Sequence, residues 1–398
     1  MLALSAKTQT TDIRPEVQLL LCCTCIHMDA ENTQQLKIML QNNIDWAYLL
    51  QTAAHHGVMP LLYWNLSNTC PEAVPKAILY QLRDYFHANA LHNLFLTKEL
   101  LKLLSVFKAY EITAIPFKGP ILATLAYDNL ALRQFGDLDI LVRKHDVLKA
   151  KEILISQGYQ PTEVLLSCEH HFIRDDGKIN VDLHWGIPRY DLVYRQLNPS
   201  PWWEKVEWVT FHKTTVLNFP PEESLLILCI NATKVYWNKS LNLICDIDAL
   251  ICSHQHLNWE RMMQQSRIMR CEKMLLTGLF LANELLGTTL PKQVWQRMKA
   301  VPQAKSMAVQ WREQLFCEVE DPPDNLTIHR WHLKGMDCPH DKVIYCLRWV
   351  ITPHIADWNF LPLPKFFSFL YCPLRVFRLI GKYGLNRKVT HFLSNLLR

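Results

Sequence analysis

Two aspartates stand two positions apart in the run Gly136-Asp137-Leu138-Asp139-Ile140-Leu141-Val142. The apolar residues mark a buried strand. Alternation along it sends both carboxylates to one face, and Leu138, Ile140 and Val142 to the other. Like charges so placed repel each other and resist burial, so something must compensate them. Aligned carboxylate oxygens suit Mg²⁺, a hard cation that shares its coordination with substrate phosphates. By itself an Asp-x-Asp pair is as readily a surface turn or a cap, and its position at the head of an apolar strand is what favours the metal.

A third acid comes from downstream. Residues 168–174 and 179–185 read as two strands joined through Asp175-Asp176-Gly177-Lys178, and an Asp-Gly pair between such runs signals a hairpin. With Asp176 and Gly177 as the turn, His171 lies opposite Asp182, Glu169 opposite His184 and Ile173 opposite Asn180. Glu169, His171, Asn180, Asp182 and His184 then share one face, and Phe172, Val181, Leu183 and Trp185 the other. The alternative is a strand with a solvated outer side, and a slip of one residue exchanges the faces. A face this rich in His and acid fits a catalytic cleft. His171 and His184 are candidates for proton transfer or substrate contact, with a structural hydrogen-bonding role as the alternative. Upstream, Lys118-Gly119 precedes a helix opened by Pro120, a place where backbone N–H groups favour phosphate. A plain strand-to-helix turn is the simpler reading. Arg133, four residues before Asp137, offers a second positive group for a triphosphate or a structural ion pair.

The elements that must position these groups form a small α/β unit. The pattern predicts a helix over 94–110, a strand over 112–117, a helix over 122–127, the Asp137/Asp139 strand, a helix over 146–157 stopped by Gly158, and the hairpin. The flanks are helical, as in the 3–4 spacing of Trp46, Leu49, Leu50 and Ala53. The expected fold class is therefore α+β, a small mixed sheet embedded in a mainly helical chain. Its expected divisions are a helical region over 1–93, the α/β core over 94–200 and a C-terminal helical region with a basic tail over 201–398.

The 398 residues are 49% hydrophobic and 20% charged, which permits a large core and argues against global disorder. The net charge of +5 is local: seven basic residues and no acid lie between Trp358 and Arg398, and the remainder carries 35 basic against 37 acidic side chains. A near-neutral body argues against a long nucleic-acid partner. The tail is expected to be a solvated helix face, with an anionic surface, a membrane face or RNA as alternatives. No apolar run reaches the ~18 residues of a membrane span, and the N-terminus has no secretory pattern. With thirteen cysteines this points to a reducing, cytoplasmic setting with free thiols. Cys22 and Cys25 form one C-x-x-C with no second pair at zinc-site spacing, so a helix-core role is the simpler reading.

Together these residues resemble the DNA polymerase β-like nucleotidyltransferase superfamily and, more narrowly, its uncharacterised bacterial nucleotidyltransferase family. The resemblance is carried by Phe117-Lys118-Gly119, Tyr127, Arg133, the Gly136–Val142 run, Gly158-Tyr159 and Val181-Asp182-Leu183-His184-Trp185. Weaker echoes are His55-His56-Gly57-Val58, the Cys245–Leu250 run with Asp246 and Asp248, and the segments 353–357 and 361–364. The resemblance implies a nucleotidyltransferase core in which Asp137, Asp139 and Asp182 hold Mg²⁺, with Mn²⁺ as an alternative, and in which Lys118, Gly119 and Arg133 bind the nucleotide. The implied chemistry is attack by an acceptor on the α-phosphorus of a nucleoside triphosphate, with release of pyrophosphate. The superfamily carries Gly-Ser at the phosphate turn where this chain has Gly119-Pro120. Proline lacks both the hydroxyl and the N–H, and Lys118 and Arg133 are the implied replacements. The expected acceptor is a small molecule, peptide or glycan. A sugar-nucleotide donor on the same fold, or a non-catalytic scaffold, are the competing expectations.

Overall fold

A computed structural model describes residues 14–26, 28–165, 168–174, 177–187, 203–234, 240–316, 325–353, 355–363 and 365–383. The chain divides into two compact units, 1–335 and 336–398. In the first, four helices, α1 (Pro15–Cys22), α2 (Ala30–Met39), α3 (Trp46–His55) and α4 (Met59–Thr69), precede α5 (Lys76–Ala109). Asp29 and Asp45 cap α2 and α3 by accepting from the Asn32 and Tyr48 amides. The helix read from Leu94 thus begins about five turns earlier, at Lys76 directly after Pro75, and its 34 residues span about 51 Å. Leu96, Leu100, Leu103 and Phe107 form its buried stripe on the sheet.

The sheet has five strands in the order β1-β2-β5-β4-β3. They are β1 (Ala114–Pro116), β2 (Asp137–Val142), β3 (Tyr159–Leu165), β4 (Glu169–Arg174) and β5 (Asn180–His184), with α6 (Gly119–Leu125) and α7 (Val147–Ser156) between the early strands. β2 and β5 run parallel, and every other pairing is antiparallel. Leu138, Ile140 and Val142 of β2 join Phe172, Val181 and Leu183 on the face packed against α5 and α7. The opposite face carries the acids. The β4–β5 register is the one the hairpin reading anticipated, with His171 opposite Asp182, Glu169 opposite His184 and Ile173 opposite Asn180. Asp175 and Asp176 of the turn lie outside the described residues.

Two features were not anticipated. β3 forms the sheet edge, where its Pro161 is tolerated because an edge strand has a side that needs no donor. A second hairpin, β6 (Glu207–Phe211) with β7 (Thr214–Asn218), turns through His212 and Lys213, both at positive φ. Neither is the Gly or Asn that marks such turns in a sequence.

Among the described residues seven helices complete the first unit: α8 (Pro221–Lys234), α9 (Leu241–Ser253), α10 (Trp259–Ile268), α11 (Glu272–Leu286), α12 (Lys292–Ala300), α13 (Pro302–Leu315) and α14 (Asn325–Gly335). The second unit contains α15 (Pro339–Ile351), α16 (Ile355–Phe360) and α17 (Tyr371–Tyr383). No helix among the described residues is long and apolar enough to cross a membrane. None of the twelve described cysteines is in a disulfide, and those of the C-x-x-C pair make separate contacts, Cys22 with the Asn32 carbonyl and Cys25 with the Leu286 carbonyl. Burial pushes the Cys22 and Cys25 thiols up, to about 11 and about 12.

Candidate active site

Parallel pairing of β2 with β5 sets Asp139 directly opposite Asp182 and Asp137 opposite Asn180. The Asp139 carboxylate is 5% exposed. It accepts from Lys118 Nζ at 3.1 Å and from His184 Nε2 at 2.9 Å. The other ring nitrogen of His184, Nδ1, lies 3.0 Å from Glu169 Oε2. The imidazole is thus held between two carboxylates, with the Phe117 ring edge-on at 4.9 Å. His171 Nδ1 hydrogen-bonds Asp182 and reaches solvent. The polar face is therefore covered at Glu169, Asp139 and His184 and open at His171, which is not the arrangement of a solvated outer strand face.

The electrostatics follow from this packing. Burial alone raises the Asp139 pKa, but Lys118 and His184 outweigh it and hold the carboxyl well below the ordinary range. Burial alone lowers His184, but Asp139 and Glu169 carry it up to about 9, so the ring is an imidazolium that donates through Nε2 to Asp139 and pairs by charge at Nδ1 with Glu169. Burial works against Glu169 as well, and His184 pulls it down to about 2. Lys118 is lowered by burial and raised more by Asp139 and Asp137. Asp137 differs: repulsion from Asp139, then burial, push it up to about 6. Asp182 is raised by burial and then by Asp139. Lys118 and Arg133 offset part of the charge at Asp137, and His171 part of that at Asp182, yet both carboxyls remain shifted upward.

Ligand atoms of Asp139, Asp182 and His184 all lie within 4.8 Å of one another. This cluster therefore holds His184 where the sequence reading had Asp137, although Asp137 shares the same face two residues before Asp139 on β2. Hard carboxylate oxygens on adjoining strands, two of them under-neutralised, fit a divalent cation of the Mg²⁺ or Mn²⁺ type.

Lys118 reaches this site through a strained backbone, with φ +60° and ψ −144° at the N-cap of α6. Gly119 follows at φ +40°, where a Cβ would come 3.4 Å from the Asp137 carbonyl oxygen. The Lys118 ammonium points at Asp139 rather than into open space. Arg133 is buried and makes a two-pronged bond to Asp246 of α9, Nε to Oδ1 at 2.7 Å and Nη2 to Oδ2 at 2.8 Å. Tyr127 Oη donates to the same carboxylate at 2.8 Å. The structural ion pair that the sequence left open for Arg133 is thus present, while its Nη1 has no hydrogen-bond partner. Asn93 of α5 donates to the Leu130 and Arg133 carbonyls, and Asn89 to that of Ala131, which pins the loop feeding Asp137 into β2.

Glu169 was placed on this face by the sequence and given no role there. Its partner His184 was read as its cross-strand neighbour and as a candidate for proton transfer or substrate contact, with a structural hydrogen-bonding role as the alternative, and its bond to buried Asp139 is of the latter kind. Asp246, an echo of the resemblance, proves to be the anchor of Arg133 and Tyr127. His56 touches the same neighbourhood, since its carbonyl accepts from the Asn242 amide and from Ser240 Oγ.

The family model described as "Uncharacterised nucleotidyltransferase" matches residues 42–287, and the chain belongs to that family. The protein is a nucleotidyltransferase with an α+β core. Two solved structures match part of the chain. The lincosamide antibiotic adenylyltransferase LnuA, bound to lincomycin, shares 16% identity over 39% of this chain and 97% of its own, with a TM-score of 0.30. An antigenic nucleotidyltransferase-like protein from Paracoccidioides brasiliensis shares 13% identity over 50% of this chain and 93% of its own, with a TM-score of 0.32. No match is found among curated proteins.

Proposed function

We propose that the protein transfers a nucleoside monophosphate from a nucleoside triphosphate to a hydroxyl-bearing small acceptor, with Mg²⁺ or Mn²⁺ held by Asp137, Asp139 and Asp182. The observation that supports this reading is the pairing of Asp139 with Asp182 across parallel strands, beside a third carboxylate whose charge Lys118 and Arg133 only partly offset. A divalent cation bound there would act as a Lewis acid on the phosphate and acidify the acceptor hydroxyl.

The side chains supply the rest. The acceptor oxygen attacks the α-phosphorus, the bond to the bridging oxygen of the β-phosphate breaks, and pyrophosphate leaves. Asp182 takes the acceptor proton, and His171, bonded to Asp182 and open to solvent, carries it away. Lys118, with the Gly119 backbone beside it, and the unpartnered Nη1 of Arg133 supply positive charge for the donor phosphates. His184 and Glu169 fix the orientation of Asp139. A polar cleft of about 570 Å³ adjoins Gly136 and is lined by His55, Tyr85, Asn89, His92, Gln134 and Asn242. Its size and hydrogen-bonding lining suit a polar small molecule as acceptor.

Pyrophosphate release tests this. The full chain is incubated with Mg²⁺, each nucleoside triphosphate and a panel of polyols, glycosides and hydroxy-peptides, and nucleotide binding is measured with and without metal. Asp139→Asn and Asp182→Asn are expected to lower turnover by about 10²-fold or more while the fold persists. Absence of metal-dependent triphosphate binding overturns the reading, and binding of sugar nucleotides alone replaces the donor.

A further inference from the structure

The second unit is built inside out. On α17, Tyr371, Arg375 and Arg378 turn inward, and Arg375 Nη1 and Arg378 Nε donate to the two oxygens of Asp357 at 2.9 and 2.5 Å. Asp357 is fully buried. The opposite side of the helix presents Phe377 and Ile380, 72% and 58% exposed. The 3-10 turn before it, Lys365–Leu370, presents Phe366 and Phe369, the former 83% exposed. α15 repeats the pattern: Val343, Leu347 and Ile351 recur every four residues and are exposed, while Asp341 and Tyr345 are buried. A helix that faces water normally shows the reverse arrangement. Apolar exposure on this scale marks an interaction surface.

Charge selects the occupant. Residues 336–398 hold nine Lys and Arg against three Asp, whereas residues 1–335 hold 33 against 34. Asp341 and Asp357 are buried, so the unit turns little acid outward to oppose a negative partner. A second copy would bring the same excess of positive charge and be repelled. A nucleic acid would need the guanidiniums that Arg375 and Arg378 direct inward. Anionic lipid headgroups above an acyl phase satisfy both the cationic excess and the outward Phe and Ile side chains.

We propose that the 336–398 unit lies in the plane of an anionic bilayer surface, with Phe366, Phe377 and Ile380 entering the headgroup–acyl boundary. The chain does not cross the bilayer through any described helix. The solvated-face reading of the basic tail is replaced for α17 by this one, while Arg387, Lys388 and Arg398 lie outside the described residues.

Vesicle flotation of the full chain tests the proposal. Vesicles of phosphatidylcholine with about 30 mol% phosphatidylglycerol are expected to carry the protein at low salt, and pure phosphatidylcholine about 10-fold less. The triple variant Phe366→Ser, Phe377→Ser, Ile380→Ser is expected to lose about 10-fold in partitioning with an unchanged melting temperature, since these side chains are exposed. Pyrophosphate-forming activity without lipid is unaffected by the triple change, so failure here is separate from failure of the catalytic reading. Equal partitioning of the variant, no binding to anionic vesicles, or a stable dimer or RNA complex in place of vesicle binding overturns the proposal.

Discussion

Lys118 does two things at one position: its ammonium binds Asp139, and its backbone occupies a region that glycine tolerates and lysine resists. These separate by substitution. Lys118→Ala and Lys118→Gly both lose the ammonium, and both are expected to abolish most turnover. The glycine variant is expected to be the more stable of the two by about 1 kcal/mol, the reverse of the usual order, as read by urea unfolding. The carboxylates Asp137, Asp139 and Asp182 were legible because alternation along a strand dictates shared faces. The partnership of Arg133 with Asp246 was not, because nothing local links residues 113 positions apart. An arginine before an acidic strand reads alike whether it will meet a phosphate or a helix.

At the scale of elements, the clamp of Tyr127, Arg133 and Asp246 fastens the loop entering β2 to α9. Removing one partner of a buried pair leaves the other charge stranded. Asp246→Asn is expected to cost about 3 kcal/mol and lower the melting temperature, and Arg133→Met with Asp246→Leu together to cost less than the single change. The hairpin register was readable because an Asp-Gly turn and a polar/apolar alternation fix it jointly. β3 and the β6–β7 hairpin escaped for opposite reasons: one contains a proline that only an edge position permits, and the other turns on His212 and Lys213, which carry no turn signature. Gly57, between α3 and α4, sits at φ +66°, where a Cβ would come 2.9 Å from Asn242 Nδ2. Gly57→Ala is expected to destabilise by about 1–3 kcal/mol in thermal unfolding.

For the whole molecule, two buried histidines set an acid limit. Burial, with His55 nearby, holds His56 down to about 4, and burial with His329 does the same to His332. The unfolded chain binds these protons near pH 6.5. Stability is therefore full above about pH 6.5 and falls as the pH drops toward 4, by up to about 3 kcal/mol for each ring. His56→Gln is expected to flatten part of that fall when denaturant midpoints are compared at pH 7.5 and 5. The composition showed the cationic excess of the C-terminal region but not its packing. The acid that organises it, Asp357, stands one residue before the charge run begins. The sheet order has one more consequence. Asp139 and His184 are 45 positions apart, and their strands are parallel neighbours with α7, β3 and β4 between them in the chain. A ribosome must deliver all of that sequence before the acids can meet, so the nascent polypeptide gathers no such cluster early, and assembly of the centre is a late, high-contact-order event in folding.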